Sequence, residues 1–188
     1  MLGLSASLAI SKAASLFGYI KDNLKLYMPF RRADEVKFVG QGSTYFTTDD
    51  YVDTNLTSDL SASDFTVSLW AKFGADESLY MVTQSEAITS YASEWYIGSH
   101  SSNKIFWFQG IEVGTLSDYE DNQWHYFTMV WDKSALKYTG YVDGISLGLS
   151  GAVTLNGNEG SIKLGARGDG TSSFYKGYMK NVAIWERA

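Results

Sequence analysis

Residues 64–73, DFTVSLWAKF, alternate without a break. Phe65, Val67, Leu69, Ala71 and Phe73 fall on one side of an extended chain, and Thr66, Ser68, Trp70 and Lys72 on the other. A side-chain period of two belongs to a strand with one buried face; a helix, with its period of 3.6, would scatter these residues around its circumference. From Leu24 to the end similar short runs return: LKLYMPF, EVKFV, STYFTT, LYMVTQ, EWYIGS, KIFWFQG, HYFTMVW, KYTGYVD, ISLGLS, SIKLGA and MKNVAIW. Gly, Asn, Asp and Ser punctuate them. Eighteen glycines against one proline, with 13 tyrosines and 10 phenylalanines, favour strands joined by glycine turns over a helical bundle. Asp143-Gly144, between KYTGYV and ISLGL, predicts a tight hairpin because both turn residues need positive φ, which makes Asp143 a turn residue rather than a ligand. With no internal repeat, the expectation is an all-β fold, two antiparallel sheets packed as a jelly-roll sandwich.

The first twenty residues, MLGLSASLAISKAASLFGYI, differ in pattern. Ile10, Ala13, Ala14 and Phe17 occupy i, i+3, i+4 and i+7 of one helical face, while Ser7, Ser11 and Ser15 line another. This predicts a short N-terminal helix ending near Gly18 and Lys21-Asp22-Asn23. A lone helix of this length is marginal in water, so its apolar stripe is expected to dock on the β domain or on another protein. No basic region precedes the apolar stretch and Lys12 interrupts it, which fits neither a secretory signal nor a membrane span. The chain therefore divides into a docking segment, 1–23, and a β domain, 24–188.

Charge and residue usage remove several functions. Fifteen basic against twenty-one acidic side chains give a net charge of -6, with no Lys/Arg run to neutralise a phosphate backbone, so nucleic acid is not an expected partner. Without cysteine there is no disulfide and no thiolate metal site. His100 and His125 stand in no Ser-His-Asp grammar and make no zinc site between them. Asp118, Glu120, Asp121 and Asp169 offer hard oxygens to calcium, but no spaced loop motif gathers them, and no cofactor is expected. Arg167-Gly168-Asp169, in a glycine-rich hairpin, reads as turn chemistry.

NQWHYFTMVWD, residues 122–132, concentrates Trp124, His125, Trp131 and Asp132 and invites a catalytic reading. Its alternation argues otherwise. Phe127, Met129 and Trp131 make one face strongly apolar, and Tyr126, Thr128 and Val130 leave the other only partly polar, as in an interior strand covered on both sides.

Three ordered stretches carry a family resemblance: FTVSLWAKF (65–73), similar to F-T-[IV]-S-x-W; WHYFTMVWD (124–132) followed by YVDG (141–144), similar to W-H-x-[VF]-x-x-x-W-D and Y-V-D-G; and IKLGARGDGTSSFYKGYMKNVAIWERA (162–188), similar to the closing strands. The chain after residue 24 resembles the laminin G-like group of the concanavalin A-like lectin and glucanase superfamily. The resemblance implies the two-sheet jelly roll and makes His125 of the Trp-His pair a hydrogen-bonded framework residue. One departure is that Lys180 and Asn181 stand where the family often has Asp-Glu.

Glucanases of that superfamily need two carboxylates flanking the scissile bond, about 5 Å apart in a retaining pair. No E-x-D-x-x-E spacing is present, so the chain is expected not to be an enzyme. A sugar-binding role needs aromatic faces with polar groups beside them. Trp70, on the polar face of its strand, is the first candidate, followed by Tyr96 and Trp107, although that position also suits Trp70 packing under a loop or the leader helix. The leader, LKLYMPF and VKFVGQGSTYF are similar to small laminin G-like proteins of tailed bacteriophages. That likeness implies a non-catalytic virion component at the capsid or tail surface, docked on other virion proteins through its first segment and forming a homo-oligomer. The alternative is a lectin or adhesion module that binds a surface glycan.

Overall fold

The computed structural model describes residues 24–28, 43–75, 78–85, 94–100, 103–154, 160–168 and 170–187. The expected leader helix with Ile10, Ala13, Ala14 and Phe17, the expected strand EVKFV (35–39) and Asp169 lie outside them. The strands are β1 (Leu24–Met28), β2 (Thr44–Phe46), β3 (Val52–Asp53), β4 (Phe65–Lys72), β5 (Ser78–Gln84), β6 (Trp95–His100), β7 (Phe106–Phe108), β8 (Ile111–Val113), β9 (His125–Asp132), β10 (Lys137–Val142), β11 (Ile145–Leu149), β12 (Ile162–Leu164) and β13 (Gly177–Trp185). No helix among the described residues is long and apolar enough to cross a membrane.

Two antiparallel sheets form, as the alternation predicts. The seven-stranded sheet runs β1-β13-β4-β9-β10-β11, with β2 also paired to β13; the six-stranded sheet runs β3-β12-β5-β6-β7-β8. The chain crosses between sheets after β2, β3, β4, β8, β11 and β12, and β13 returns to lie between β1 and β4. The last strand is therefore central, a non-local closure available only once most of the chain has been made.

Inner faces fill the space between the sheets. Phe65, Val67, Leu69, Ala71, Phe127, Met129, Trp131, Val182 and Ile184 from one sheet meet Val82, Trp95, Ile97, Phe106, Phe108, Ile162 and Leu164 from the other, all fully buried. Phe108 sits at the centre of an aromatic interlock, its ring centroid 4.3 Å from Trp131 in a stacked pair, 6.0 Å from Phe65 and 5.9 Å from Tyr138. The Tyr138 hydroxyl reaches across from the other sheet, 3.0 Å from the Phe106 carbonyl and 2.9 Å from that of Ile111, and shares its proton between them. Gln84 is the second buried tie. It accepts from Trp95 Nε1 at 3.0 Å and donates to the carbonyls of Ser58 and Gly160 at 2.8 and 3.0 Å, so one amide holds two loops to the core.

Two strands were not legible. KIFWFQGIEV is a hairpin, β7–β8, turning at Gln109-Gly110 with φ of 46° and 95°. Gln lacks the left-handed preference of Asn or Asp, so the turn carried no signal. Val52–Asp53 is too short to show a period.

NQWHYFTMVWD becomes β9, an interior strand between β4 and β10, with one face buried and the other half-buried. Asp143-Gly144 makes the expected turn, with φ of 52° and 79°. Asp143 also closes the sheet end: Oδ1 accepts from Tyr126 N–H at 2.8 Å and Oδ2 lies 2.7 Å from His125 Nδ1. His125 Nε2 is 3.2 Å from Asp121 Oδ1. Burial pulls the imidazolium pKa down, but the hydrogen bonds to Asp143 and Asp121 outweigh it, and the net shift is upward from 6.5. The framework role that the resemblance implied is thus realised as a hydrogen-bonded clamp between two carboxylates.

Two predictions follow from this packing. A Cβ at Gly140 would lie 2.4 Å from Phe106 Cδ2, inside a ring that has no room to move in the closed core. Gly140→Ala should therefore destabilise the fold by about 1–3 kcal/mol through overpacking, read as a fall in the urea midpoint; an unchanged midpoint would contradict this seating. For His125, a raised folded pKa means that its contribution is complete below pH 6.5 and is lost as pH rises through the raised value. Stability should decline from pH 6.5 upward, and His125→Gln should flatten that decline in thermal melts taken across the range.

Candidate functional site

The outer face of the seven-stranded sheet carries residues that sequence spacing alone could not bring together. Register places Trp70 of β4 opposite Tyr126 of β9 on one side and Lys180 of β13 on the other. One row along, Lys72 lies opposite Tyr178, and Tyr178 opposite Tyr45 of β2. Trp124 joins them from the residue before β9, its ring centroid 6.3 Å from that of Tyr178. Tyr45 and Tyr178 pair at 4.8 Å, and Trp70 and Tyr126 at 5.2 Å. The result is a platform of five aromatic rings. Tyr45 and Tyr178 are 53% and 42% exposed, and Trp70, Trp124 and Tyr126 are half-buried.

Two lysines complete it. Lys180 Nζ lies 4.1 Å from the Trp124 ring centroid and 5.5 Å from that of Trp70, and Lys72 Nζ lies 5.9 Å from that of Tyr178. A bulge positions Lys180. Between Lys180↔Trp70 and Ala183↔Ser68 the strand β13 carries one extra residue, with Asn181 at a φ of 52°. The bulge breaks the period of two, so Met179 and Val182 both point inward while Tyr178 and Lys180 stay outside. Burial depresses the Lys180 ammonium below the ordinary lysine value. The departure noted at Lys180-Asn181 thus falls at the centre of this face.

Tyr96 and Trp107 lie on the opposite side of the sandwich. A transverse row runs across all six strands of the other sheet: Asp53, Lys163, Thr83, Tyr96, Trp107 and Glu112, each directly opposite the next. Tyr96 and Trp107 stack with an interplanar angle of 1° at 5.9 Å, and Tyr80 packs on Tyr96 at 4.5 Å. Tyr96 is only 2% exposed, and burial, followed by the charges of Glu94 and Glu112, raises its phenol pKa. Beside it, fully buried Glu94 faces Arg167 across 3.6 Å. The Arg167 guanidinium is therefore turned into the protein, and Gly170 N–H donates to the Arg167 carbonyl at 2.8 Å. Nothing in the sequence pattern marked Glu94, which precedes a strand in no recognisable motif.

The three stacking candidates therefore divide: Trp70 sits on one outer face, Tyr96 and Trp107 on the other. Among the acids considered for calcium, Asp118 lies in a short 3-10 turn and Asp121 is engaged by His125 and by Gln123 N–H. Among the described residues no group of three or more His, Asp or Glu side chains is arranged to hold a metal.

No curated protein matches the chain in sequence. Solved structures of similar fold include the CBM40 of the Ruminococcus gnavus IT-sialidase, at 9% identity over 78% of this chain and 92% of that one, with a TM-score of 0.52. The botulinum neurotoxin type G receptor binding domain matches at 14% identity, 88% of this chain and 48% of that one, TM-score 0.50. A mutant of the NanB sialidase from Streptococcus pneumoniae matches at 17% identity, 78% and 26%, TM-score 0.50. At such identities the likeness is one of fold. A laminin G-type family model matches residues 46–188, and the chain accordingly belongs to the concanavalin A-like lectin/glucanases superfamily.

Proposed function

We propose that this chain is a non-catalytic, lectin-like module that binds carbohydrate on the outer face of its seven-stranded sheet. The observation that carries the reading is the platform of Tyr45, Tyr178, Trp124, Trp70 and Tyr126. A merely solvated sheet face would alternate Ser, Thr and charged residues outward, as Thr66 and Thr128 do further along the same strands. Here the outward positions are rings, partly exposed and arrayed along two adjacent rows, the geometry on which the apolar faces of a sugar chain can stack. The superfamily description includes lectins as well as glucanases.

The same face supports binding over hydrolysis. A glycosidase places two carboxyl groups about 5 Å or about 6.5–9.5 Å apart around the scissile bond. The strand residues that build the platform include no Asp or Glu, and Asp143 beyond Tyr126 has its oxygens engaged by Tyr126 N–H and His125. The botulinum neurotoxin domain of similar fold is a receptor binding domain, but binding by this chain is proposed from its own rings.

The finer role, a capsid- or tail-surface component of a tailed bacteriophage, belongs to the leader and the opening segments. Its docking residues Ile10, Ala13, Ala14 and Phe17 lie outside the described residues, and nothing in the sandwich favours it over other settings for a glycan-binding face. Mass spectrometry of purified particles tests it separately; absence of the chain there removes the virion placement and leaves the binding face untouched.

For the face itself, Trp70→Ala should weaken binding to a glycan identified on an array by about tenfold or more, as expected for a stacking anchor worth upwards of ~1.4 kcal/mol. The half-exposed position of Trp70 leaves the core intact, so the thermal midpoint should move little. Tyr96→Phe, on the opposite sheet, should leave affinity unchanged; loss with Tyr96→Phe and none with Trp70→Ala would move the site to the other face.

A further inference from the structure

We propose that the ligand of this face is an anionic glycan, carboxylated or sulfated, with Lys180 and Lys72 receiving the negative group while the rings stack on the sugar. The inference rests on the glycan-binding reading above and adds its charge class. Several cations of this protein meet carboxylates. Lys163, nearly buried, meets Asp53 Oδ2 at 3.0 Å; buried Arg167 faces Glu94; exposed Lys25 pairs with Glu186. Lys180 and Lys72 are half-buried with no carboxylate within 4.0 Å among the described residues, as are Lys104, Lys133 and Lys137; what sets these two apart is that both ammonium groups lie over aromatic rings of the platform.

A partly desolvated ammonium without a counter-charge is unfavourable unless something compensates it. The indoles of Trp124 and Trp70 supply part of that compensation through their negative ring faces, a cation–π contact worth roughly 0.5–2 kcal/mol depending on desolvation. Burial pulls the Lys180 ammonium below the ordinary lysine value. A bound carboxylate or sulfate would supply the missing charge at Lys180, with Lys72 one strand away in the adjacent row.

The rest of the platform favours an anion as well. Its strand residues contribute two positive charges and no negative one, whereas the whole chain carries -6. Repulsion from the chain as a whole then confines anion binding to this face, and the attraction there is local and sensitive to salt. A cationic ligand is disfavoured because Lys180 already occupies the ring faces that would receive it. A nucleic acid finds only two lysines and no continuing basic track.

The experiment measures binding of the full chain, by titration calorimetry, to oligosaccharides matched in backbone and differing in charge: one neutral, one carrying a carboxylate, one carrying a sulfate. At roughly 0.05 M salt the acidic members should bind about tenfold or more tightly than the neutral one, and the gap should shrink toward roughly 0.5 M salt as screening sets in. Lys180→Gln should abolish the preference while retaining the weaker neutral binding, Lys180→Arg should keep it, and Lys72→Gln should reduce it; unchanged thermal midpoints show each variant folded. The relative affinities of the carboxylated and sulfated members tell which anion the site takes. Equal binding of neutral and acidic members, or a preference that survives both Gln variants, overturns the charge assignment and leaves the glycan reading standing. Binding of none of the three, on a protein that also finds no ligand on a broad array, overturns both.

Discussion

The stack of Phe108 on Trp131, with Phe65 and Tyr138 around it, fixes how the two sheets sit on one another, and the remaining structure is arranged from that contact outward. Phe108 belongs to a three-residue strand that could not persist alone, whereas Trp131 and Phe65 come from two of the longest strands of the facing sheet. Each such aromatic pair adds about 0.5–1.5 kcal/mol beyond the area it buries. The shared proton of Tyr138 then ties the short β7–β8 hairpin to the opposite sheet at the same point. With no cysteine in the chain, this interlock and the Gln84 amide are among the contacts that hold loops and sheets in one register.

Once the inner faces are committed to packing, chemistry is left to the outer ones, and the two outer faces have been used differently. The six-stranded sheet turns its polar groups into closed contacts, Lys163 with Asp53 and Glu94 with Arg167, around a tyrosine that is almost wholly covered. The seven-stranded sheet leaves two tyrosines about half exposed and two lysines without carboxylates. One face is closed over its own charged groups, and the other presents the rings and lysines on which the proposed binding rests. That contrast within a single scaffold, rather than the scaffold itself, is what points to a binding role.

Much of the framework could be read from residues alone. The strict alternation of 64–73 fixed which side of β4 is inside, and Phe65, Val67, Leu69, Ala71 and Phe73 are all buried. Asp-Gly at 143–144 announced its turn because only a few residue types tolerate two positive φ values in succession. The apparent active site NQWHYFTMVWD declared itself a strand through its period. By contrast, Gln109-Gly110 gave no turn signal, and Glu94 no sign that it would be buried against an arginine more than seventy positions away.

Sequence by itself determined the class of fold and the inward faces of β4 and β9, because a period of two depends only on neighbours one or two residues apart; the framework character of His125 was implied by the family resemblance. Only the tertiary structure decided that Trp70 shares a surface with Trp124, Tyr178 and Lys180, while Tyr96 and Trp107 face away on the other sheet. The physical reason is register: cross-strand neighbours are set by how β4, β9 and β13 slide past one another when the core closes, and by a one-residue bulge after Lys180, neither of which leaves a local trace.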